Sequence, residues 1–266
     1  MQKIACGVEY FSDLNSPYCG FQKQPHAPSI QEELEKAFSA VANHPVEIFT
    51  AGRTDRGVHA LGQVIHFETE TLRSPEIWVR AVNAHLPKSI RIQFAQEVPD
   101  DFHARYSARA RRYEYWIENQ KIPSVFSQQQ ALNYYFYLDS EKMHQAAQCL
   151  LGEQDFSAFR SSECQSKTPV RTINFINISR QGNNFIKIDI EANAFLHHMV
   201  RNIVGSLLMI GDGRKDKNFL RFLLDQKDRT LAGMTVEPQG LYLIEVTYPD
   251  RFEIPKMTLS RRINLS

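Results

Sequence analysis

A chain of 266 residues, 42% hydrophobic and 23% charged, is long and apolar enough to bury a core without disulfide or metal staples. Its formal net charge of +1 excludes a global field that would draw it onto a polyanion, so any affinity for nucleic acid has to come from local clusters of cations. The four cysteines, Cys6, Cys19, Cys149 and Cys164, form no C-x-x-C pair and have no histidine cluster at zinc-ligand spacing beside them, a pattern expected of a reducing cytoplasm and of a protein that needs no metal.

In chain order, Met1–Glu9 is too short and too interrupted for a secretion signal, and Ile4–Phe11 reads as a strand. The stretch 13–28 is loop-like, with Pro17, Gly20, Pro25 and Pro28. Ser29 followed by Glu32 is a capping box that opens a helix, whose apolar positions Ile30, Leu34, Ala37, Phe38 and Val41 recur at helical spacing. Glu47–Thr50 and Gln63–Glu68 are expected strands around a glycine-bounded loop, Pro75–Leu86 a second helix, and Ile90–Val98 a closing strand. A similar order then recurs. Ala108–Glu118 reads as a strand, and Asp139 caps a helix to about Leu151. Arg171–Ser179 and Asn184–Ala192 read as a hairpin turning at Gly182-Asn183. Ile186, Ile188 and Ile190 alternate with Lys187, Asp189 and Glu191, which predicts one buried and one wet face. Phe195–Ile210 reads as an apolar helix ended by Gly211 and Gly213. It carries His197, His198, Arg201 and Asn202, which is incompatible with a comfortable bilayer span, so no membrane association is expected. Asn218–Asp225 is a further short helix and Leu241–Tyr248 a last strand. Two successive sets of strands and helices predict an α+β protein of two halves, residues 1–103 and 104–266, with a cleft between two sheets as the natural place for an active site.

Three segments carry chemistry. In Gly52-Arg53-Thr54-Asp55-Arg56-Gly57-Val58-His59, two glycines bracket four polar residues. Such a turn can hold Asp55 away from the sheet, and the neighbouring guanidinium groups either keep it ionised or bind phosphates. Taken alone, the same pattern also describes a surface β-turn with solvated charges. In the second segment, His103-Ala104-Arg105-Tyr106-Ser107-Ala108-Arg109-Ala110-Arg111-Arg112-Tyr113, cations and aromatic rings interleave with no acid among them. That suits phosphates and an unstacked base, and Arg105 and Arg111 are the candidate phosphate ligands; it equally describes a solvated strand with aromatic residues in the core. Tyr113 and Tyr115 share strand parity, so only one of them need be functional. In the third segment, Phe195–Gly205, Arg201 on an apolar helix either faces the exposed stripe or pairs with a carboxylate, for which Asp55 is a candidate. His197 and His198, adjacent on a helix, diverge and make no metal motif.

Taken together, these segments resemble the TruA family of tRNA pseudouridine synthases. The G-R-T-D-x-G-V-H run at Gly52–His59 matches the family's active-site motif. Phe102-His103-Ala104-Arg105, Arg111-Arg112-Tyr113-Glu114-Tyr115, Asp155-Phe156-Ser157-Ala158-Phe159-Arg160, Phe195–Gly205 and Gly240-Leu241-Tyr242-Leu243 follow in order. One departure is Phe21 in Gly20-Phe21-Gln22, where the family commonly has Trp. The resemblance implies two ferredoxin-like or RRM-like halves, with mixed or antiparallel sheets meeting at a central basic cleft. It implies isomerisation of uridine to pseudouridine at positions 38, 39 and 40 of the tRNA anticodon stem-loop, by a homodimer that uses no cofactor or metal. It further implies that Asp55 is the essential aspartate, that Tyr113 stacks on the target base and assists proton handling, that Arg201 pairs with Asp55 and holds it ionised, and that Leu241 packs in the base pocket.

The chemistry suits these residues. The C1′–N1 bond breaks, uracil turns, and C5 bonds to C1′, with no redox step or group donor. A carboxylate can serve as nucleophile or as base. The target base must leave its stack, and Arg53 is the candidate wedge that holds it out. The alternatives are a non-catalytic RNA-binding module with two RRM-like halves, which gives Asp55 no task, and a metal-dependent nuclease, which would need more carboxylates than this loop holds.

Overall fold

The computed structural model describes residues 1–12 and 14–257. Asp13, at the start of the expected loop, and residues 258–266, within the expected second half, lie outside the described residues. The chain forms two compact units, one of Met1–Arg109 with the chain from Tyr242, the other Ala110–Leu241. Where the sequence places a single crossing near residue 103, the chain therefore crosses after Arg109 and returns after Leu241. The final strand adds to the first unit because it finds an edge there to pair with.

The first unit runs β1 (Gln2–Tyr10), α1 (Ile30–Ala42), β2 (Phe49–Thr50), β3 (His59–Thr69), α2 (Pro75–His85) and β4 (Ile90–Glu97). β1 lies between β4 and β3, antiparallel to both, and β2 pairs with β3. A βαββαβ order with strands arranged 4-1-3-2 is the split-βαβ, ferredoxin-like arrangement. Helix α1 starts where the capping box predicts, with Ser29 Oγ accepting the Glu32 N–H at 3.2 Å. It buries Leu34 and Phe38, and the Phe38 ring packs 4.6 Å from Phe67 and 6.2 Å from Trp78. β3 is longer than the alternation from Gln63 suggests and reaches back to His59.

The second unit runs β5 (Ala110–Glu118), β6 (Leu132–Asn133), α3 (Ser140–Ala147), β7 (Gly152–Asp155), β8 (Val170–Gln181), β9 (Phe185–Ala192), α4 (Met199–Gly211) and α5 (Phe219–Gln226). The strands lie in the order β5-β9-β8-β7, antiparallel throughout, with β6 parallel to β5. Ile186, Ile188 and Ile190 are fully buried. The opposite face of β9 is not the wet face that alternation predicts. Asp189 is buried there and takes two bonds from Arg112, at 2.8 and 2.6 Å, while Lys187 reaches Glu114 at 3.3 Å. In the register Glu114 stands opposite Asp189, so two carboxylates share a site and each is compensated by a cation two residues along a strand, Arg112 on β5 and Lys187 on β9. The last strand, β10 (Leu241–Thr247), runs parallel to β3, pairing Tyr242 with His59 and Leu243 with Ala60.

Among the described residues, no helix is long and apolar enough to cross a membrane.

Candidate active site

Asp55 lies in the loop that joins β2 to β3, half-buried, between exposed Arg53 and exposed Arg56. The loop is held at several points by buried polar groups. Gln63, fully buried on β3, spans the base of the loop. Its Nε2 donates to the Gly52 carbonyl at 2.7 Å and its Oε1 accepts the Gly52 N–H at 3.3 Å. Tyr10, at the end of β1, places its hydroxyl 2.7 Å from Thr54 Oγ1, and Gln63 Nε2 also reaches that hydroxyl, at 3.4 Å. Burial pushes the Tyr10 phenol well above its ordinary pKa, so it stays a neutral hydrogen-bonding group. On the far side the Phe21 N–H donates to the Thr54 carbonyl at 3.0 Å. The turn closes with the Val58 N–H on the Asp55 carbonyl at 3.1 Å, and Gly57 takes a φ of 80°.

Gly20 has a φ of 94°, and a Cβ there would lie 2.8 Å from the Thr54 carbonyl oxygen. The 20–22 segment can therefore seat against the loop only because residue 20 is glycine. Phe21 is fully buried, its ring 5.9 Å from Tyr10. An aromatic ring at 21 thus braces the Asp55 loop through Tyr10. Arg56 donates to the Leu14 carbonyl at 2.9 Å. His59 accepts the Ser12 N–H at 3.0 Å and stacks on Phe11 at 4.2 Å, which ties the loop's exit to the end of β1. The result is a carboxylate on a preorganised turn, with the cation of Arg53 beside it in solvent.

Arg105, also in the first unit, is exposed, with its guanidinium 5.7 Å from the Tyr106 ring centroid. Beneath it His66 is buried, accepting the Ala104 N–H at 3.2 Å. Burial, reinforced by His103 and Lys3, lowers the His66 pKa to about 3, so the ring is neutral.

The second unit holds Arg111, Tyr113, Arg201 and Leu241. Tyr113 and Tyr115 do share one face of β5, but their tasks differ. Tyr115 is fully buried, and its hydroxyl donates to the Glu237 carbonyl at 2.6 Å. Tyr113 packs edge-on against Phe195 at 5.1 Å. Arg111 is buried and donates to the Asn193 carbonyl at 3.0 Å. Arg112 is committed to Asp189, so the basic run contributes fewer outward cations than its composition suggests. Leu241 is buried at the head of β10.

Arg201 is not in mid-helix. The segment 195–198 is non-helical and α4 begins at Met199, with His198 in the left-handed region at φ 63°. His197 and His198 accordingly do not diverge as helical neighbours would; their rings lie 3.9 Å apart. A non-glycine residue at positive φ is uncommon, and such backbone outliers cluster at functional sites. Arg201 therefore sits in the first turn of α4, its Nε donating to the Val236 carbonyl at 2.7 Å. The segment that supplies this carbonyl is fixed by Asn202, which is fully buried. Asn202 Nδ2 donates to the Phe159 carbonyl at 2.8 Å, and its Oδ1 accepts from Arg229 at 2.9 Å and from Thr235 at 2.6 Å.

This geometry can be set beside known proteins. Residues 13–107 and 146–249 match the family model for tRNA pseudouridine synthases. A protein named tRNA pseudouridine synthase A from Actinobacillus pleuropneumoniae serotype 3 is 52% identical over 257 residues, 97% of each chain. One of the same name from Salmonella paratyphi B is 52% identical over 254 residues, 96% of this chain and 93% of its own. The chain belongs to the TruA family of tRNA pseudouridine synthases. Among solved structures, a chain of a Cbf5-Nop10-Gar1 complex aligns over 77% of this chain and 54% of its own, at 11% identity and a TM-score of 0.33.

In this TruA-family chain, sequence reasoning singled out the loop and missed what holds it. Tyr10 and Gln63 read only as strand residues, and Asn202 only as a polar interruption in an apolar helix. For Asn202 a signal was available: an amide buried among Val, Ile and Leu must find partners, and its neighbour Arg201 is then held by the same segment.

Proposed function

We propose that this chain isomerises uridine to pseudouridine at positions 38, 39 and 40 of the tRNA anticodon stem-loop, in the cytoplasm and as a homodimer, with Asp55 as the catalytic carboxylate. One observation carries the assignment of Asp55: its loop is clamped by the buried Tyr10–Thr54–Gln63 network while the carboxylate itself stays half-exposed. A solvated surface turn has no need of such a clamp, whereas a catalytic group must be held to within a fraction of an ångström.

The reaction balances within the substrate. The C1′–N1 bond breaks and C5 bonds to C1′, while N1 gains a proton and C5 loses one to solvent. Asp55 acts in this sequence as nucleophile or base. Arg53, exposed on the same turn, fills the place of the flipped nucleotide. Tyr113 stacks on the base and Leu241 packs against it. Arg201 keeps the Asp55 carboxylate ionised, and Arg105 and Arg111 bind phosphates. Membership of the TruA family supports the roles of Asp55, Tyr113, Arg201 and Leu241 at the matching positions.

The test is tritium release from 5-tritiated uridine in a tRNA transcript, comparing the wild type with Asp55→Asn. Release by the wild type alone is expected, with the variant's tRNA affinity within about tenfold of wild type because phosphate contacts dominate affinity. Loss of binding as large as the loss of rate would refute the catalytic role. Binding without release by either protein would favour an RNA-binding module.

A further inference from the structure

Two arginines of the second unit converge on one residue and, among the described residues, meet no carboxylate there. Arg160, a few residues after β7, donates from Nη2 to the Cys164 and Ser166 carbonyls, at 2.7 Å each. Arg171, on β8 and only 9% exposed, donates from Nη2 to the Ser166 hydroxyl at 2.6 Å. Its Nη1 donates to the Thr168 and Val170 carbonyls at 3.0 and 2.5 Å. Every oxygen they hold is neutral. Such groups satisfy N–H donors but leave the charge of a guanidinium uncompensated. Elsewhere in the same unit the fold does supply counterions: Arg112 has Asp189, and Lys187 has Glu114. Nor are the donors used up. Arg171 Nε is buried without a partner. Arg160 is half-buried, and its Nε and Nη1 have no oxygen acceptor among the described residues. A guanidinium edge of this kind matches two oxygens of a phosphate.

The surroundings favour negative charge. Burial works against a Cys164 thiolate, yet N–H groups of His197 and Ser166 and the Arg160 guanidinium outweigh it and hold the thiol below its ordinary pKa. Exposed Lys167 adds a third cation, and Glu163, the single acid between Phe156 and Arg171, is exposed and pairs with neither arginine. The segment is also anchored to the turn ahead of α4. The Ser161 N–H donates to the His197 carbonyl at 3.1 Å, and Asn202 holds the Phe159 carbonyl.

We propose that the unused edge of Arg160, backed by Arg171, binds a phosphodiester of the substrate RNA beside the turn at residues 195–198. The proposal rests on the reading of the chain as an RNA-modifying enzyme and adds a phosphate contact to those put forward above. A strand of RNA is the favoured source of that phosphate. Tyr113, which stacks on the target base in that reading, packs against Phe195 of the same turn, so the nucleotide chain is already at hand.

The experiment measures tRNA binding by the full chain against salt, for the wild type, Arg160→Gln, Arg160→Lys and the control Arg112→Ala. Arg160→Gln loses the charge while keeping an amide donor for the loop, and Arg160→Lys restores the charge. One phosphate contributes about 0.7–0.9 to the slope of log K against log salt. Arg160→Gln is expected to lower the slope by that amount, with Arg160→Lys and Arg112→Ala unchanged. An unchanged slope in Arg160→Gln, or the same loss in Arg160→Lys, would overturn the proposal and leave the arginine as a clamp of its loop. The wild type supplies a second reading that needs no substitution. Cys164 is half-buried in the site, and its alkylation by iodoacetamide, followed by mass spectrometry, should slow when tRNA binds, with Cys149 as internal reference. Slowing by inorganic phosphate but not by tRNA would make the occupant a free phosphate and refute the RNA contact. Tritium release by the wild type is read in parallel. Release with an unaltered slope in Arg160→Gln sinks the phosphate site and leaves the enzymatic assignment standing, and a lowered slope without release does the reverse.

Discussion

Replacing Tyr10 by Phe removes one oxygen from the clamp under the Asp55 loop and little else. The ring still packs on Phe21, and Gln63 Nε2 keeps its 2.7 Å bond to the Gly52 carbonyl. What is lost is the 2.7 Å bond between the Tyr10 hydroxyl and Thr54 Oγ1, two buried groups, together with the longer 3.4 Å contact from Gln63 Nε2 to the same hydroxyl. Leaving a buried hydroxyl without its partner costs about 1–3 kcal/mol. For a chain of this size about 2 kcal/mol lowers Tm by roughly 4–8 °C. Thr54 adjoins Asp55, and a displacement of about 1 Å at a reacting group costs about 100-fold in rate. The expected result is a kcat for tritium release reduced between about 10-fold and 100-fold, with the tRNA Kd within about threefold, since no phosphate contact is touched. The double variant Tyr10→Phe, Thr54→Val removes both partners, so it should regain part of the lost Tm without regaining kcat. A variant with lowered Tm and wild-type kcat would show that the network serves only stability, and the reasoning that ties it to Asp55 would fail.

Two further outcomes follow from the charges. Arg53 and Arg105 are exposed, so replacing either by Ala should lower the slope of log K against log salt for tRNA binding by about one, measured by filter binding. Arg112→Ala should leave that slope unchanged and instead lower Tm, because it strips Asp189 of its two bonds. His66 titrates near 6.5 when unfolded but only near 3 when folded, so below pH 6.5 the unfolded chain binds more protons. Its contribution to stability is complete above pH 6.5 and declines as pH falls toward 3. His66→Gln should accordingly show a shallower fall of Tm between pH 6.5 and 4 than the wild type, whatever its Tm at pH 7. An unchanged slope would mean that the buried ring is not what limits acid stability.

Much of this was legible in the sequence wherever a local pattern decides the outcome. The cap at Ser29 needs only a hydroxyl three residues before an amide, and it forms. The glycine bracket of the Asp55 loop is likewise local, although only Gly57 of the pair takes positive φ; the second such glycine at the loop is Gly20, which approaches from outside. What the sequence could not disclose joins residues far apart in the chain. Tyr10 and Thr54 are 44 positions apart, and Arg112 and Asp189 are 77. Alternation marked Lys187, Asp189 and Glu191 as solvent-facing because period-two patterns report only the chemistry of one strand. The cations that allow Asp189 to be buried lie on that strand and on its neighbour. The helix that begins at Met199 rather than Phe195 fails for a related reason: apolarity runs through both the turn and the helix, and periodicity cannot tell where one becomes the other.

That last difference bears on how the second unit is built for chemistry. Had the helix begun at Phe195, Arg201 would stand near its middle, where a guanidinium competes with apolar packing for space. Because the chain turns through His197 and His198 and starts α4 at Met199, Arg201 emerges in the first turn, beside the loop whose Val236 carbonyl it holds. That loop is in turn fixed by Asn202, one residue on, through Thr235 and Arg229. A single pair of adjacent polar residues thus does two things. Asn202 points inward and pins the loop, and Arg201 takes its bearing from the pinned loop. The left-handed turn at His198, which costs about 1–3 kcal/mol for a non-glycine residue, immediately precedes the helix start at Met199 and so accompanies this division.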